Sequence, residues 1–182
     1  MKSPKTFGTI VALLVVGAVA GCSSAPRQSL DVSGVIRQSL DQAGLKDVSV
    51  SEDKDKGVVT LGGHVAADGD KAQAESIAKS NAGSQVVADQ IAVTPRGVEG
   101  EAKTVNADLD KGIDKNLDAA LVESRMKKGI RYDVKNGVVT LKGEVNSESK
   151  RKQVEKVAAG VPNVLQVVNE LQVKEQKATS SN

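Results

Sequence analysis

Gly57-Val58-Val59-Thr60-Leu61 reads GVVTL, and Gly137-Val138-Val139-Thr140-Leu141 reads GVVTL again 80 positions later. At the same offset Gly63 matches Gly143, Val65 matches Val145, Gln73 matches Gln153, and Glu75 matches Glu155. Ala78/Ala158, Val87/Val167 and Val93/Val173 continue the series, which runs without a gap from Val50/Ile130. Upstream the offset slips by one residue, so that Ile36 and Leu40 match Leu117 and Leu121. A self-match this long is an internal duplication, and it sets the architecture before any local pattern is weighed. The 182 residues therefore divide into two small domains of about 60 residues each, and a unit that small buries only ~60% of its unfolded surface.

Periodicity supplies the elements of each repeat. In the first, Val32, Val35, Ile36 and Leu40 recur at helical spacing, and Gly44 stands where a helix stops. Val48 and Val50 alternate with polar neighbours, Asp53 to Gly57 is a polar turn, and the GVVTL strand follows with Val59, Leu61 and Val65 on one face. Gly63 inside that strand predicts a bulge or a close approach by another backbone. Asp68 to Asp70 open a helix carrying Ala74, Ile77, Ala78 and Asn81, and a last strand runs from Val86 to Val93. The second repeat follows the same plan. Asn136-Gly137 is a tight-hairpin pair, Val154, Val157, Ala158 and Val161 form a helical stripe, and Gly160 and Pro162 end it. Val105, Leu109, Ile113, Leu117, Leu121 and Met126 predict an opening helix of about 22 residues. Its extra turns have no counterpart in the first repeat and are expected to pack across the other domain. The fold class is α+β, two tandem small α/β sandwiches. Each is helix–strand–strand–helix–strand, a three-stranded sheet covered by two helices.

The start of the chain reads as an address. Lys2 and Lys5 precede an apolar run from Phe7 to Val19, too short for a membrane span and flanked as a signal peptide is. Val19-Ala20-Gly21-Cys22 resembles the lipobox of bacterial lipoproteins, in which the cysteine is acylated and becomes the new N-terminus. Cys22 is the single cysteine, so no disulfide is available. Ser23 after it, rather than aspartate, resembles lipoproteins forwarded to the outer membrane. The expected divisions are a leader over 1–21, a tether over 22–29, a first domain over 30–95, a linker over 96–104, a second domain over 105–174 and a disordered tail over 175–182.

Helix, hairpin with GVVTL, glycine two residues on, helix and a closing strand ending in valine together resemble the BON domain. Gly160-Val161-Pro162-Asn163-Val164 with Val167-Val168-Asn169-Glu170-Leu171 matches that domain's ending closely. The first repeat departs there, with Ala82-Gly83 for Pro162-Asn163 and Asp89 for Asn169. The resemblance implies a dual-domain envelope protein acting by binding. It is similar to outer-membrane lipoproteins that support envelope integrity and to soluble periplasmic proteins induced by osmotic stress. It further implies contact of the second domain with anionic phospholipid through its opening helix and an aromatic residue. Here that helix offers Leu121 and Met126 instead, and Tyr132 falls in the first strand.

Several chemistries find no residues. His64 is the single histidine, on an outward strand position, with glutamate at the matching position 144, so no metal set is formed. There is no nucleophile elbow, phosphate loop or dinucleotide fingerprint. Asp53/Asp55 and Asp68/Asp70 lack EF-hand spacing. No cofactor and no enzymatic activity are expected. With the leader's two lysines removed, 23 basic residues face 23 acidic ones. One Tyr, one Phe and no Trp leave no stacking platform, and neither feature favours nucleic acid.

Charge is divided between the repeats. Residues 30–95 hold 6 basic and 10 acidic residues, and residues 112–174 hold 12 basic and 8 acidic. The excess gathers in Arg125, Lys127, Lys128 and Arg131, and in Lys150, Arg151, Lys152 and Lys156. Anionic lipid attracts such clusters at about 1 kcal/mol per near-surface cation. Three readings stand: binding of an anionic envelope component, docking of the basic repeat on the acidic one, and plain solvation. The lipid reading places Arg125, Lys127, Lys128 and Arg131 at one headgroup, with Arg125 and Lys128 on one side of the helix and Met126 for shallow apolar contact. The expected protein is a lipoprotein, acylated (palmitate) at Cys22, in the outer membrane and facing the periplasm. It binds an envelope component, or alternatively an envelope protein in a chaperone-like role.

Overall fold

The computed structural model describes residues 31–174. The leader, Cys22, the tether and the tail from 175 lie outside the described residues. The first repeat runs α1 (Val32–Gln42), β1 (Val48–Asp53), β2 (Val58–Val65), α2 (Asp68–Asn81), β3 (Val86–Asp89) and β4 (Ala92–Val93). The second runs α3 (Glu99–Glu123), β5 (Ile130–Lys135), β6 (Val138–Val145), α4 (Glu148–Ala159) and β7 (Gln166–Val173). Both are α+β sandwiches of the expected order. β1 pairs antiparallel with β2 and β5 with β6, while β3 and β7 close each sheet in parallel.

The closing strand of the first repeat is interrupted where the duplication predicts one strand from Val86 to Val93. β3 stops at Asp89 and β4 resumes at Ala92 without a change of register, since Leu61 faces Asp89 and His64 faces Ala92. The strand-face valines behave as period-2 alternation requires. Val59, Leu61 and Val65 meet Ile36 and Leu40 of α1 and Ala74 and Ala78 of α2 in one core. Val139, Leu141 and Val145 meet Ile113, Leu117, Leu121, Val154 and Ala158 in the other. Leu61 and Leu141 are fully buried.

The repeated glycine within each central strand has a steric cause. A Cβ on Gly63 would lie 2.0 Å from the carbonyl oxygen of Asp47, and one on Gly143 would lie 2.2 Å from that of Gly129. Both have positive φ, 84° and 121°. The chain entering β1 or β5 crosses the central strand there, and no side chain fits between them.

The long helix differs from its sequence outline at both ends. It begins at Glu99, within the stretch expected to be linker, and ends at Glu123 rather than Met126. Glu99 and Glu101 occupy its first turn, where acidic side chains complement the partial positive charge of the helix end. Those turns are largely exposed, so no apolar period announces them. Leu109 and Asn106 reach the neighbourhood of β4 and line a 380 Å³ groove between the repeats. The extra turns thus approach the first domain as expected, but only at its β4 edge and loosely: Val105 is 57% and Leu109 46% exposed.

The repeats dock through the sheet faces that point away from their helices. Val58, Ala88, Val138 and Val168 form a separate buried cluster there. The set is two pairs at the 80-residue offset, Val58/Val138 and Ala88/Val168. The polar contacts around it repeat the relation. Lys56, in the first hairpin turn, pairs with Glu170 at 2.9 Å. Asn136, its counterpart in the second turn, donates Nδ2–H to the carbonyl of Gln90, the counterpart of Glu170, at 2.7 Å. The interface therefore has the logic of a two-fold dimer within one chain. One contact breaks the symmetry. The Gln166 amide bridges the free edge of β3, accepting from the Asp89 N–H at 3.0 Å and donating to the Val87 carbonyl at 2.7 Å. Val86 stands at the equivalent position and has no such group. Docking is thus apolar at its centre, and its ion pair takes the lysine from the acidic repeat. The charge division between the repeats is not what joins them.

Candidate functional site at the basic end of the second repeat

The C-terminus of α3 decides where the expected cations go. Ser124 caps the helix, the Arg125 N–H donates to the Val122 carbonyl, and the Met126 N–H donates to that of Leu121. This pair of bonds is the Schellman termination, and Arg125 takes its left-handed position with φ 55°. Gly44 holds the same place after α1 with φ 80°, and Leu45 the place of Met126. Arg125 and Lys128 consequently do not share a helical side, because the helix has already ended. Met126 is half-buried against the domain core. The surface it keeps lines an α3–α4 groove with Ala120, Val157, Val161 and Lys156.

Lys127 is engaged by neighbours of its own repeat, although its side chain stays 41% exposed. Its ammonium pairs with the Asp118 carboxylate, donates to the Tyr132 hydroxyl at 3.2 Å and lies 4.3 Å from the centre of that ring. The Tyr132 hydroxyl in turn donates to Asp118 at 3.0 Å. The Lys127 hydrogen bond holds the Asp118 carboxyl below its usual value, while burial pushes the Tyr132 phenol up. These three residues latch α3 to β5 and leave Lys127 little freedom to meet a ligand.

Lys128 and Arg131 have other neighbours. Lys128 lines a 250 Å³ depression with Lys150, Lys174, Glu144, Val145 and Asn146. Arg131 adjoins it from the outer sheet face, lining a second depression with Gly129, Gly143, Glu144 and Lys174. Four cations from the α3–β5 turn, β5, the start of α4 and the end of β7 thus surround Glu144, which pairs with Lys174 at 3.0 Å. Gly129 and Gly143 approach each other beside it, together with Ile130, Val145 and Asn146. Lys174 is absent from the sequence-based set because it follows the last patterned valine. No local signal marks it; the parallel pairing that sets Val145 opposite Val173 brings the next residue to the turn into α4. The Lys174 N–H indeed donates to the Val145 carbonyl at 2.8 Å. Among the described residues, no group of three or more His, Cys, Asp or Glu could hold a metal ion, and no helix is long and apolar enough to cross a membrane.

Comparison with known proteins agrees with this architecture. The BON domain family model matches twice, at residues 31–95 and 109–175. Osmotically-inducible protein Y of Escherichia coli (strain K12) is 30% identical over 138 residues, covering 74% of this chain and 67% of that protein. Among solved structures, the C-terminal domain of CdsD, a structural protein of the type III secretion system of Chlamydia trachomatis, aligns over 80% of this chain and 98% of that one. Its identity is 16% and its TM-score 0.34. Two family matches that coincide with two duplicated sandwiches show that this chain belongs to the BON domain family.

Proposed function

We propose that the second repeat binds anionic phospholipid headgroups at its basic end, in an outer-membrane lipoprotein that faces the periplasm and supports the envelope under osmotic or envelope stress. What supports this reading is the convergence of four cations, Lys128, Lys150, Lys174 and Arg131, on adjoining depressions that hold a single carboxylate, Glu144. Lys128 and Lys174 also reach solvent freely enough to approach a surface. The name of the Escherichia coli relative, which ties that protein to osmotic induction, supports the stress setting. Acylation at Cys22 supplies the membrane attachment, and no catalytic step enters the reading. Arg125 and Arg131 add to the field at the same end, whereas Lys127 contributes chiefly to the latch.

Co-sedimentation with vesicles tests the headgroup contact. The chain from Ser23 onward is expected to bind phosphatidylglycerol vesicles and not phosphatidylcholine vesicles, and to release as salt rises and screens the cations. Lys128→Glu with Lys150→Glu should abolish binding while leaving the thermal transition in place. Equal binding to both vesicle types would overturn the reading. The anchor is tested separately: Cys22→Ser should move the exported protein from the membrane to the soluble fraction, since stable anchoring needs more than one acyl chain. Retention on membranes after a high-salt wash would exclude Cys22.

One observation favours a protein partner instead. Leu165, 74% exposed, and Leu109 line the groove between the repeats with Asn106, Asn136 and Asn163. Binding there would persist at high salt, which separates the two readings.

A further inference from the structure

The docking face between the repeats is homotypic. Its apolar centre consists of Val58 and Ala88 against Val138 and Val168, which are the same two positions of the duplication used twice. Its polar rim repeats as well, with Lys56 reaching Glu170 and Asn136 reaching Gln90. Such an interface can be satisfied equally by the other repeat of the same chain or by that of a second copy.

Two further features bear on which occurs. Each repeat keeps a hydrophobic core of its own, distinct from the docking cluster, so separation of the repeats leaves both cores closed. The connection between them is short and constrained: Thr94 to Val98 contains Pro95, and Gly97 has φ 90°. Beyond it, α3 runs from Glu99 to its first core residue, Ile113, a rigid arm of about 20 Å. Opening at Gly97 would swing the second repeat away on that arm, beyond easy return to its own partner face. A short, restrained hinge between two units with a self-complementary face favours reciprocal exchange.

We propose that this protein has a second, dimeric form in which the repeats are exchanged. The first repeat of each chain docks on the second repeat of the other, through the Val58/Ala88/Val138/Val168 face and the Gln166 bridge. The partner is a second copy of this chain.

Complementation tests the exchange in the chain from Ser23 to Asn182, which retains every described residue. One variant carries Ala88→Asp and the other Val168→Asp. In either alone, every docking of a first on a second repeat places a carboxylate in the apolar patch. Mixed, a reciprocal dimer restores one intact docking, between the first repeat of the Val168→Asp chain and the second repeat of the Ala88→Asp chain. Size-exclusion chromatography with light scattering, on chains of distinguishable mass, should show heterodimer in the mixture at least about tenfold above the homodimer in either component, equivalent to roughly 1.4 kcal/mol. A mixture as monomeric as its components overturns the proposal, as does equal dimerisation of either variant alone. Circular dichroism verifies that both fold. If either does not, Ala88→Ser and Val168→Ser give the same comparison with less disturbance, and the same two outcomes overturn it.

Discussion

Asp89 shows how one substitution between the repeats changes the chemistry of a buried position. In the second repeat Asn169 accepts from the Leu171 N–H at 3.2 Å and donates to the Arg151 carbonyl and to Glu155 at 3.3 and 2.8 Å. In the first, Asp89 retains the acceptor role toward the Ile91 N–H at 3.1 Å but has no proton to donate. Lys71, in the place of Arg151, stands 4.0 Å from its carboxylate, and Glu75 holds the place of Glu155. Burial raises the Asp89 carboxyl above its ordinary value and Glu75 adds to the rise, while the Ile91 N–H, Lys71 and Lys79 oppose it. A raised folded-state value means that the folded protein holds this proton more tightly than the unfolded chain. Its contribution is complete below about 3.8, the unfolded value, and is lost as pH rises through the folded one. At neutral pH the ionised group therefore costs stability. Asp89→Asn should raise the thermal midpoint at pH 7 and raise it less at pH 3.5. An unchanged or lower midpoint at pH 7, followed by calorimetry, would show that Lys71 compensates the buried charge.

At the scale of an element, the end of α3 is where the repeats diverge most. The same Schellman bonds close α1 and α3, but glycine holds the left-handed position in one and Arg125 in the other. A side chain there costs about 1 kcal/mol relative to glycine. Arg125→Gly should therefore stabilise the second repeat by roughly 0.5–1 kcal/mol in denaturant titration, and a loss of stability would show that the arginine makes a compensating contact. The helices and the strand register were legible because apolar residues recur at 3.6 and at 2 along them. The end of α3 was not, because Arg125, Lys127 and Lys128 fit a helical pattern as well as a turn. What separates the two is a pair of backbone bonds that side-chain identity does not announce. The extra turn before Val105 was invisible for the opposite reason: it buries almost nothing, so nothing in it is patterned.

For the whole molecule, the coupling of the repeats rests on a small set of contacts. The Gln166 amide gives the free edge of β3 both of its cross-repeat hydrogen bonds. Gln166→Ala should remove about 1–3 kcal/mol from docking while leaving both cores intact. The parent is expected to unfold in one calorimetric transition and the variant in two. A single transition at the parent's midpoint would place the coupling elsewhere.

The sequence by itself determined that there are two sandwiches, many of the residues that fill each core and that a glycine interrupts each central strand. Those are consequences of a duplication and of short-range periodicity, and both can be read along a single chain. Only the tertiary structure decided that Val58, Ala88, Val138 and Val168 meet across the repeats, that Lys127 is latched to Asp118, and that Lys128 faces Lys150 and Lys174. In the sequence the outward valines of a strand look like any solvent-facing alternate, and a lysine on a turn looks like any solvated charge. Their partners lie on other elements or in the other repeat, as far as 79 residues away for Gln166 and Val87. Such contacts depend on how two finished units are set against each other, and no local period encodes that.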